Sequence, residues 1–212
     1  MTAEDYFGDW TKVIDDRELA KVMKWLNSVN LDTICPFYKN IFRAFRECSY
    51  KDCNVVMLGQ DPYPQPGVAT GILFGNKQEV PENLLSPSLK VIKTAVGATA
   101  NFDNTMLSWV KQGVLMINSA LTCNVNQIGS HVDLWRPFVM KLVSNICRNR
   151  PDVIFVLFGT QAQYFANYIS NCVIREKHPA YYARIGFPMS RESFDLVNKQ
   201  LALQGKPEII YT

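Results

Sequence analysis

The chain has 212 residues and a mass of 24.1 kDa, with 48% hydrophobic and 19% charged residues. A chain of this size can bury most of the surface that it exposes when unfolded, so a full hydrophobic core is available. The longest apolar run, residues 153–158, is far too short to cross a bilayer, and the composition excludes a disordered chain or a coiled coil. The net charge of +3 neither requires nor excludes a nucleic-acid partner.

The first residues are acidic and carry neither the apolar segment of a secretory signal nor the Arg- and Ser-rich face of a transit peptide. The six cysteines include no CxxC pair, and only His131 and His178 could join them in a metal site. Unpaired thiols are typical of a reducing compartment. We therefore expect an intracellular protein with no metal and no cofactor, cytoplasmic if bacterial or viral, with the nucleus as the alternative in a eukaryotic host.

Short apolar, β-branched runs alternate along the chain with segments in which apolar residues recur every three to four positions. The runs predict buried strands, and the periodic segments predict helices. The predicted strands are residues 54–58, 114–117, 153–158 and 172–175, and the predicted helices are residues 17–26, 38–46, 88–96, 134–148, 161–169 and 191–203. This alternation predicts a single α/β domain over residues 1–212, a three-layer α/β/α sandwich around a central four-stranded parallel sheet.

The loop after the first predicted strand, residues 59–67, contains three prolines and two glycines around Asp61 and Tyr63. Ligands of parallel sheets bind beyond the carboxyl ends of the strands, which makes such loops the first candidates for a site. The prolines restrict the backbone, as a preorganised catalytic group requires. A plain turn in which Asp61 caps the next segment is the alternative, and local composition does not decide between the two.

The other three strand ends carry weaker signals. Asn118 offers a donor and an acceptor that could pair with the edge of a nucleobase, although asparagine is also a common turn former. Thr160 has the position of a helix N-cap, beside N–H groups that could hold a phosphate. His178 is followed by two tyrosines and an arginine, and a surface loop with one ordinary histidine is the alternative.

The four strand ends together are more specific than any one of them. Cleavage of a base from a sugar needs an anion that faces the cationic sugar and positions water, and a donor for the charge that develops on the departing base. Asp61 and His178 have the chemistry for these two tasks. A pocket that selects a base needs an amide and an aromatic ring, which Asn118 and Phe74 could supply.

A series of short motifs extends along nearly the whole chain. Gly59-Gln60-Asp61-Pro62-Tyr63 forms the first, and its register continues through Gly67, Gly71 and Phe74. The others are Ser86-Pro87-Ser88, the strand that ends at Asn118, Ser130-His131 with Trp135, Gly159-Thr160 and His178-Pro179. In these motifs the chain resembles the uracil-DNA glycosylases of the first, uracil-specific family.

The resemblance implies an enzyme that flips uracil out of DNA and hydrolyses its N-glycosidic bond, leaving an abasic site that initiates base excision repair. Asp61 would orient the attacking water and stabilise the cationic sugar, while a neutral His178 would donate to the uracil O2 as charge grows there. The implied uracil-binding residues are Gln60 through its backbone, Tyr63 by excluding the thymine methyl group, Phe74 by stacking and Asn118 by hydrogen bonding.

The resemblance also implies a set of DNA contacts, some of which depart from the family pattern. Members usually contain His-Pro-Ser-Pro-Leu-Ser, whose leucine enters the space that the flipped base leaves; here Tyr182 stands at the leucine position, and we expect it to act as this wedge. The implied DNA-binding residues are Pro87, Ser88, Thr160, Ala180, Tyr181, Tyr182 and Arg184.

Two further departures lie in the loops before and after the predicted second strand. Pro64 and Thr70 occupy positions where common members have histidines, which predicts rearranged water and phosphate contacts. One residue, usually a glycine, is missing between His131 and Trp135.

The expected partner is uracil-containing DNA, bound by a monomer without membrane contact. A proteinaceous inhibitor of uracil glycosylases and a replication protein are further candidate partners. An alternative of a different class is a DNA- or protein-binding module on the same fold with weak or no activity, which the altered residues after His178 and the low net charge favour. Retention of Asp61, Asn118 and His178 favours the enzyme.

Overall fold

A computed structural model describes residues 3–99 and 101–211. Met1, Thr2, Ala100 and Thr212 lie outside the described residues, and with them the ends of the predicted 1–212 domain and the start of the acidic N-terminus. In this part of the chain no helix is both long and apolar enough to cross a membrane. Nor do three or more His, Cys, Asp or Glu side chains among the described residues form a group that could hold a metal ion.

The strands occur close to their predicted positions and form a parallel sheet. In chain order the strands are β1 (Ile34–Cys35), β2 (Val55–Gly59), β3 (Val114–Asn118), β4 (Cys123–Asn124), β5 (Ile154–Phe158) and β6 (Val173–Glu176). The four longer strands pair in the order β3-β2-β5-β6, and every pairing is parallel. All residues of β2 and β5 are buried, as expected of central strands covered on both faces. The predicted four-stranded α/β fold is confirmed.

A small antiparallel ribbon was not predicted. It pairs β1 with β4, so that Cys35 lies opposite Cys123. Each strand has two residues, which is too short to produce an alternating pattern in the sequence. The ribbon matters for the site because both cysteines contact the loop after β2: Cys35 Sγ donates to the Pro64 carbonyl oxygen at 3.4 Å, and Cys123 Sγ donates to the Pro62 carbonyl oxygen at 3.5 Å.

Helices surround the sheet, and most of them were predicted. They are α1 (Ala3–Phe7), α2 (Asp16–Leu26), α3 (Arg43–Glu47), α4 (Pro87–Val96), α5 (Leu107–Val110), α6 (Val132–Asn149), α7 (Gly159–Gln163), α8 (Pro179–Ile185) and α9 (Glu192–Leu203), with 3-10 turns at Gly8–Lys12, Leu31–Thr33, Tyr38–Asn40, Glu82–Leu84 and Tyr164–Tyr168. The predicted helices 38–46 and 161–169 are each a 3-10 turn joined to a short α-helix. Apolar periodicity does not separate these two helix types, since both return to the same face after three to four residues.

The segment after His178 is a helix and not an extended loop. Pro179 occupies the first turn of α8, where its missing N–H costs nothing, and Gly186 ends the helix with a left-handed φ of 66°. The two tyrosines and the arginine that follow His178 therefore project from a helix. Because α8 packs against α4, residues far apart in the chain meet beside the carboxyl ends of the strands.

Candidate active site

A cavity of about 710 Å³ lies beyond the carboxyl ends of the four parallel strands. Its volume is within the range of small-molecule sites, and its place is the one expected for a ligand in this fold. Of the thirteen residues predicted for the site, all except Tyr182 line it: Gln60, Asp61, Tyr63, Phe74, Pro87, Ser88, Asn118, Thr160, His178, Ala180, Tyr181 and Arg184. Fold and sequence pattern thus converge on one place.

Asp61 lies two residues beyond β2, and its two carboxylate oxygens have different surroundings. Oδ2 accepts hydrogen bonds from the backbone N–H of Gly129 at 2.7 Å and from Nε2 of Gln60 at 3.0 Å. Oδ1 is buried and makes no hydrogen bond to any residue that the structure describes. Burial raises the pKa of Asp61 above its ordinary value, and the two hydrogen bonds oppose that rise. Asp61 does not cap the following segment, so the alternative of a plain turn is excluded.

Asn118 is the last residue of β3 and is paired with Gly59 at the end of β2. Its Oδ1 is buried and has no hydrogen-bond partner among the described residues. A Cβ atom on Gly59 would lie 2.9 Å from this oxygen and 2.3 Å from a methyl carbon of Leu73. Glycine at position 59 is therefore what lets the Asn118 amide face the cavity.

His178 forms the N-cap of α8, and its Nδ1 accepts a hydrogen bond from the Ala180 N–H at 3.2 Å. In the neutral ring the proton is consequently on Nε2. Burial lowers the pKa of His178 to about 4, so the ring is neutral at neutral pH. Gly159, with φ of +82°, makes room for this ring, because a Cβ there would lie 2.9 Å from the His178 Cβ.

Ala180 is one of the predicted DNA-binding residues and could contact a phosphate only through its backbone, but its N–H already has a partner in His178. The next N–H, that of Tyr181, donates to the His178 carbonyl oxygen at 2.8 Å. A phosphate at this position would have to compete with both hydrogen bonds. The structure uses this stretch of backbone to orient the histidine.

Phe74 is buried and packs edge-on against His178 and Phe158, with ring centroids 5.6 and 5.3 Å apart. Its φ of 62° is uncommon for a residue other than glycine, and such strain is concentrated at functional sites. The Tyr63 hydroxyl donates to the Phe74 carbonyl oxygen at 3.1 Å. Burial raises the pKa of Tyr63 well above its usual range, so this phenol stays protonated and continues to donate.

Pro87 and Ser88 begin α4 at the opposite wall of the cavity. The preceding residue, Ser86, donates its N–H to Asn76 Oδ1 at 2.8 Å and accepts from Asn76 Nδ2 at 2.9 Å through its hydroxyl. Asn76 is itself 2% exposed. This paired contact fixes the start of α4, where Pro87 is exposed and Ser88 is buried.

Thr160 is not the N-cap of its helix, contrary to the prediction. The cap is Phe158, no side chain caps the helix, and α7 begins at Gly159. The positive φ of Gly159 lets the chain turn immediately after β5, so the helix begins two residues earlier than predicted. Thr160 is exposed at the cavity wall, so the predicted side-chain contact with DNA is unaffected by this correction.

The two tyrosines of α8 have different environments. Tyr181 lines the cavity, with Lys177 Nζ 4.6 Å and the Arg184 guanidinium carbon 5.7 Å from the centre of its ring. Tyr182 packs against the hydrophobic core, and its hydroxyl donates to Glu176 Oε1 at 2.8 Å. The side chain predicted as the wedge is thus held away from the cavity, whereas its neighbour lies beside it.

Several contributors to the cavity were not predicted. The backbone N–H of Gly129 and the side chain of Gln60 contact Asp61, and Ile128 and Lys177 lie at the cavity wall. Gly129 adopts a φ of +79°, a conformation that a glycine in a loop can suggest but not locate. Gly129 reaches Asp61 because the loop after β4 folds back towards the end of β2, which the sequence does not show.

Comparison with known proteins identifies a family and several proteins to which this chain is similar over most of its length. The family model of the Uracil DNA glycosylase superfamily matches residues 45–202. A uracil-DNA glycosylase of Escherichia coli is 36% identical over 84% of this chain and 80% of that protein. One of Campylobacter jejuni is 31% identical over 93% of this chain and 90% of that protein. One of varicella-zoster virus is 33% identical, and the match spans 84% of this chain but only 60% of the viral protein.

Solved structures show the same fold. The crystal structure of mimivirus uracil-DNA glycosylase matches 99% of this chain and 91% of that chain, with a TM-score of 0.75 at 23% identity. A variant of the mimivirus protein, solved in complex with UGI, matches 99% of this chain and 94% of that chain, with a TM-score of 0.76 at 22% identity. The extent of the family match and the identity to the curated relatives confirm the resemblance found in the motifs. The chain belongs to the uracil-DNA glycosylase superfamily.

Proposed function

We propose that the cavity at the strand ends is where this uracil-DNA glycosylase binds a uracil flipped out of DNA and hydrolyses its N-glycosidic bond. The observation that carries the proposal is the convergence of three polar groups on one cavity. Asp61 and Asn118 each have a buried oxygen without a partner among the described residues, and His178 has a ring nitrogen that bears a proton. Buried polar groups without partners are costly, and a bound base with its attacking water would satisfy them.

Asp61 acts on the sugar side of the scissile bond. As the bond breaks, positive charge develops on the deoxyribose, and a partly buried carboxylate stabilises that charge more strongly than an exposed one would. The same carboxylate accepts a hydrogen bond from the attacking water and orients it. Burial raises the pKa of Asp61, and the hydrogen bonds from Gly129 and Gln60 oppose that rise by favouring the ionised carboxylate that this role requires.

His178 acts on the base side. Negative charge grows on the departing uracil, mainly on its oxygens, and the Nε2–H of the neutral ring donates to O2. The hydrogen bond strengthens as the charge develops, so it stabilises the transition state more than the bound substrate. A fixed neutral donor of this kind requires no proton transfer.

Uracil is selected by shape and by its edge. The Asn118 amide offers an acceptor for N3–H and a donor for O4, which cytosine does not match. Tyr63 crowds the position where thymine carries its methyl group, Phe74 packs against the base, and the Gln60 backbone closes the pocket. Leu73 and Phe158 support this wall from the core.

The DNA strand is held by groups around the cavity mouth. Pro87, Ser88 and Thr160 contact the phosphates that flank the flipped nucleotide. Lys177 and Arg184 add positive charge on the α8 side. Contacts of this kind set the position of the strand without reading its sequence.

A tyrosine of α8 fills the space left by the flipped base. Tyr182 stands at the wedge position of the family motif and must release Glu176 to enter DNA, whereas Tyr181 already lies at the cavity mouth. Either ring could stack on the neighbouring bases. We propose that α8 supplies an aromatic wedge, and single substitutions distinguish the two tyrosines.

The complex of the mimivirus variant with UGI supports the proposal that a proteinaceous inhibitor also binds this chain. A monomeric state, an intracellular location and a replication partner stay predictions from the sequence.

The proposal is tested by incubating the protein, in EDTA, with single- and double-stranded oligonucleotides that contain one uracil, followed by alkaline cleavage of abasic sites. Strand scission is expected at the uracil and not at thymine or cytosine in otherwise identical oligonucleotides. Absence of scission at every protein concentration, with DNA still bound, would favour the binding module over the enzyme.

A further inference from the structure

The two carboxylate oxygens of Asp61 have different surroundings, and the first donor to Oδ2 is the side chain of the preceding residue, Gln60. The Gln60 carbonyl oxygen accepts from the Ala120 N–H at 2.9 Å and from the Ser119 hydroxyl at 3.1 Å. These bonds fix the backbone of Gln60 to the segment that follows β3. From that fixed backbone the Gln60 side chain reaches Oδ2 of Asp61 at 3.0 Å.

The second donor to Oδ2 belongs to a loop far away in the chain, residues 124–131. Gly129 donates its N–H to Oδ2 at 2.7 Å. The loop is closed on itself, because the Asn124 N–H donates to the Ser130 hydroxyl at 2.8 Å. It is also attached to the loop of Asp61, since the Asn126 N–H donates to the Pro64 carbonyl oxygen at 3.0 Å.

A series of hydrogen bonds between side chains connects this loop to the buried Trp135. The Trp135 Nε1–H donates to the Thr122 hydroxyl at 2.7 Å, so the hydroxyl proton is directed to Nδ1 of His131, 2.9 Å away. Nε2 of His131 then bears the proton and donates to Asn124 Oδ1 at 3.0 Å. Burial lowers the pKa of His131, which keeps the ring neutral and this order of donors intact.

We infer that Gln60 and the 124–131 loop are positioning groups that hold Oδ2 of Asp61, so that Oδ1 is the oxygen that meets the sugar and the attacking water. The inference rests on the proposed function for the identity of the reaction. The difference between the two oxygens, Oδ2 hydrogen-bonded and Oδ1 without a partner among the described residues, is independent of that function. Thr122 and His131 do not contact Asp61; they act indirectly, by fixing the loop whose Gly129 N–H donates to Oδ2. The resemblance assigns the backbone of Gln60 to the pocket and gives its side chain no task.

The arrangement has a measurable consequence for proton binding by Asp61. Hydrogen bonds that favour the ionised form lower a carboxyl pKa, and both donors to Oδ2 act in this direction. Removal of either donor should therefore raise the pKa of Asp61 further. The other titratable groups near it are Cys123 on β4 and, around the cavity, Tyr63, Lys177, His178, Tyr181 and Arg184.

The first test replaces Gln60 by methionine, which has a similar length but no N–H. Carbon-13 NMR titration of the Asp61 carboxyl should show a higher pKa in Gln60→Met than in the native protein. Gln200→Met is the matched control, since Gln200 is a half-buried glutamine on α9 outside the cavity, and it should leave the Asp61 titration unchanged. An unchanged Asp61 pKa in Gln60→Met would overturn the inference. This readout requires no catalysis, so it stands apart from failure of the proposed activity.

The second test uses activity. For Gln60→Met we expect kcat to fall by about tenfold, with KM nearly unchanged and the acid limb of the pH profile displaced to higher pH. In the Asp61→Asn background the same change should have little further effect, because Gln60 acts through that carboxylate. Independent, multiplicative losses would contradict the inference.

The third test addresses the loop. Thr122→Val keeps the shape of the side chain and removes the hydroxyl that connects Trp135 to His131. It should raise the Asp61 pKa in the same direction as Gln60→Met, while Thr122→Ser, which retains a hydroxyl, should restore the native titration. Failure of the serine variant to restore it, in a protein with native thermal stability, would exclude the loop from this role.

Discussion

The floor of the cavity, defined by Asp61, Phe74, Asn118 and His178, differs in construction from its α8 rim, defined by Lys177, Tyr181 and Arg184. The floor groups are fixed by hydrogen bonds or close packing against glycines at strand ends. The rim side chains are held by ring and cation contacts near solvent. Groups that perform chemistry are thus preorganised, whereas groups that meet DNA keep freedom to adapt. The departures from the family motif after His178 lie in α8, and the floor residues match it.

The largest expected effect comes from the floor. Asp61→Asn removes the charge that stabilises the sugar cation while it preserves the size of the side chain. We expect the rate of uracil release to fall by roughly 10²–10⁴-fold. DNA affinity, measured by fluorescence anisotropy on the same samples, should change little. A rate close to that of the native protein would remove Asp61 from its proposed role.

The next effect tests the close packing of His178. In Gly159→Ala the new Cβ meets the His178 Cβ at 2.9 Å on a backbone with φ of +82°. Displacement of the ring by about 1 Å should lower kcat by on the order of 100-fold. Gly205→Ala is the control, because Gly205 has φ of +68° but nothing within 4 Å of the added carbon. Equal losses in the two variants would attribute the effect to backbone strain alone.

The pH dependence of the native protein tests the protonation states proposed for Asp61 and His178 on the floor of the cavity. Activity requires an ionised Asp61, whose raised pKa causes activity to fall as the pH decreases through it. It also requires a neutral His178, which gains a proton only as the pH falls towards about 4. Both losses occur as the pH decreases, so neither group should cause kcat/KM to fall as the pH rises. A decline as the pH rises through 6.5 would instead indicate a cationic histidine donor.

The smallest effects should come from α8, and they distinguish its two tyrosines, Tyr181 at the rim and Tyr182 against Glu176. Loss of one stacking ring costs about 1–3 kcal/mol, and only duplex DNA has a vacated stack to fill. We therefore expect the wedge variant, whether Tyr181→Ala or Tyr182→Ala, to lose more activity on duplex than on single-stranded substrate. The other variant should lose similar amounts on both. Equal losses on both substrates in both variants would argue against an aromatic wedge on α8.

Much of the fold was predictable because parallel strands buried on both faces leave continuous apolar runs. The end of β3 at Asn118 and the loop of Asp61 follow from that pattern and from the proline-rich composition of residues 59–67. The start of α7 and the helical state of α8 were missed or misplaced. Both depend on glycines with positive φ, Gly159 and Gly186, whose conformation the sequence does not specify.

The candidate site was predictable to the level of residue identity and not to the level of atoms. The sequence places Asp61, Asn118 and His178 at or just beyond the carboxyl ends of three parallel strands of one sheet. It contains no signal that Oδ2 of Asp61 is held by Gly129, which is 68 positions away, or that Tyr182 turns towards Glu176. These contacts depend on the path of a loop and on side-chain rotamers, and the apolar periodicity of the sequence carries information on neither.

The most direct test of the account is the crystal structure of the Asp61→Asn variant bound to a duplex that contains uracil. The uracil should lie in the cavity beside Phe74, with its N3 and O4 at the Asn118 amide and its O2 within hydrogen-bond distance of His178 Nε2. A uracil that stays stacked in the duplex, or one that enters with its imide edge turned away from Asn118, would contradict the account.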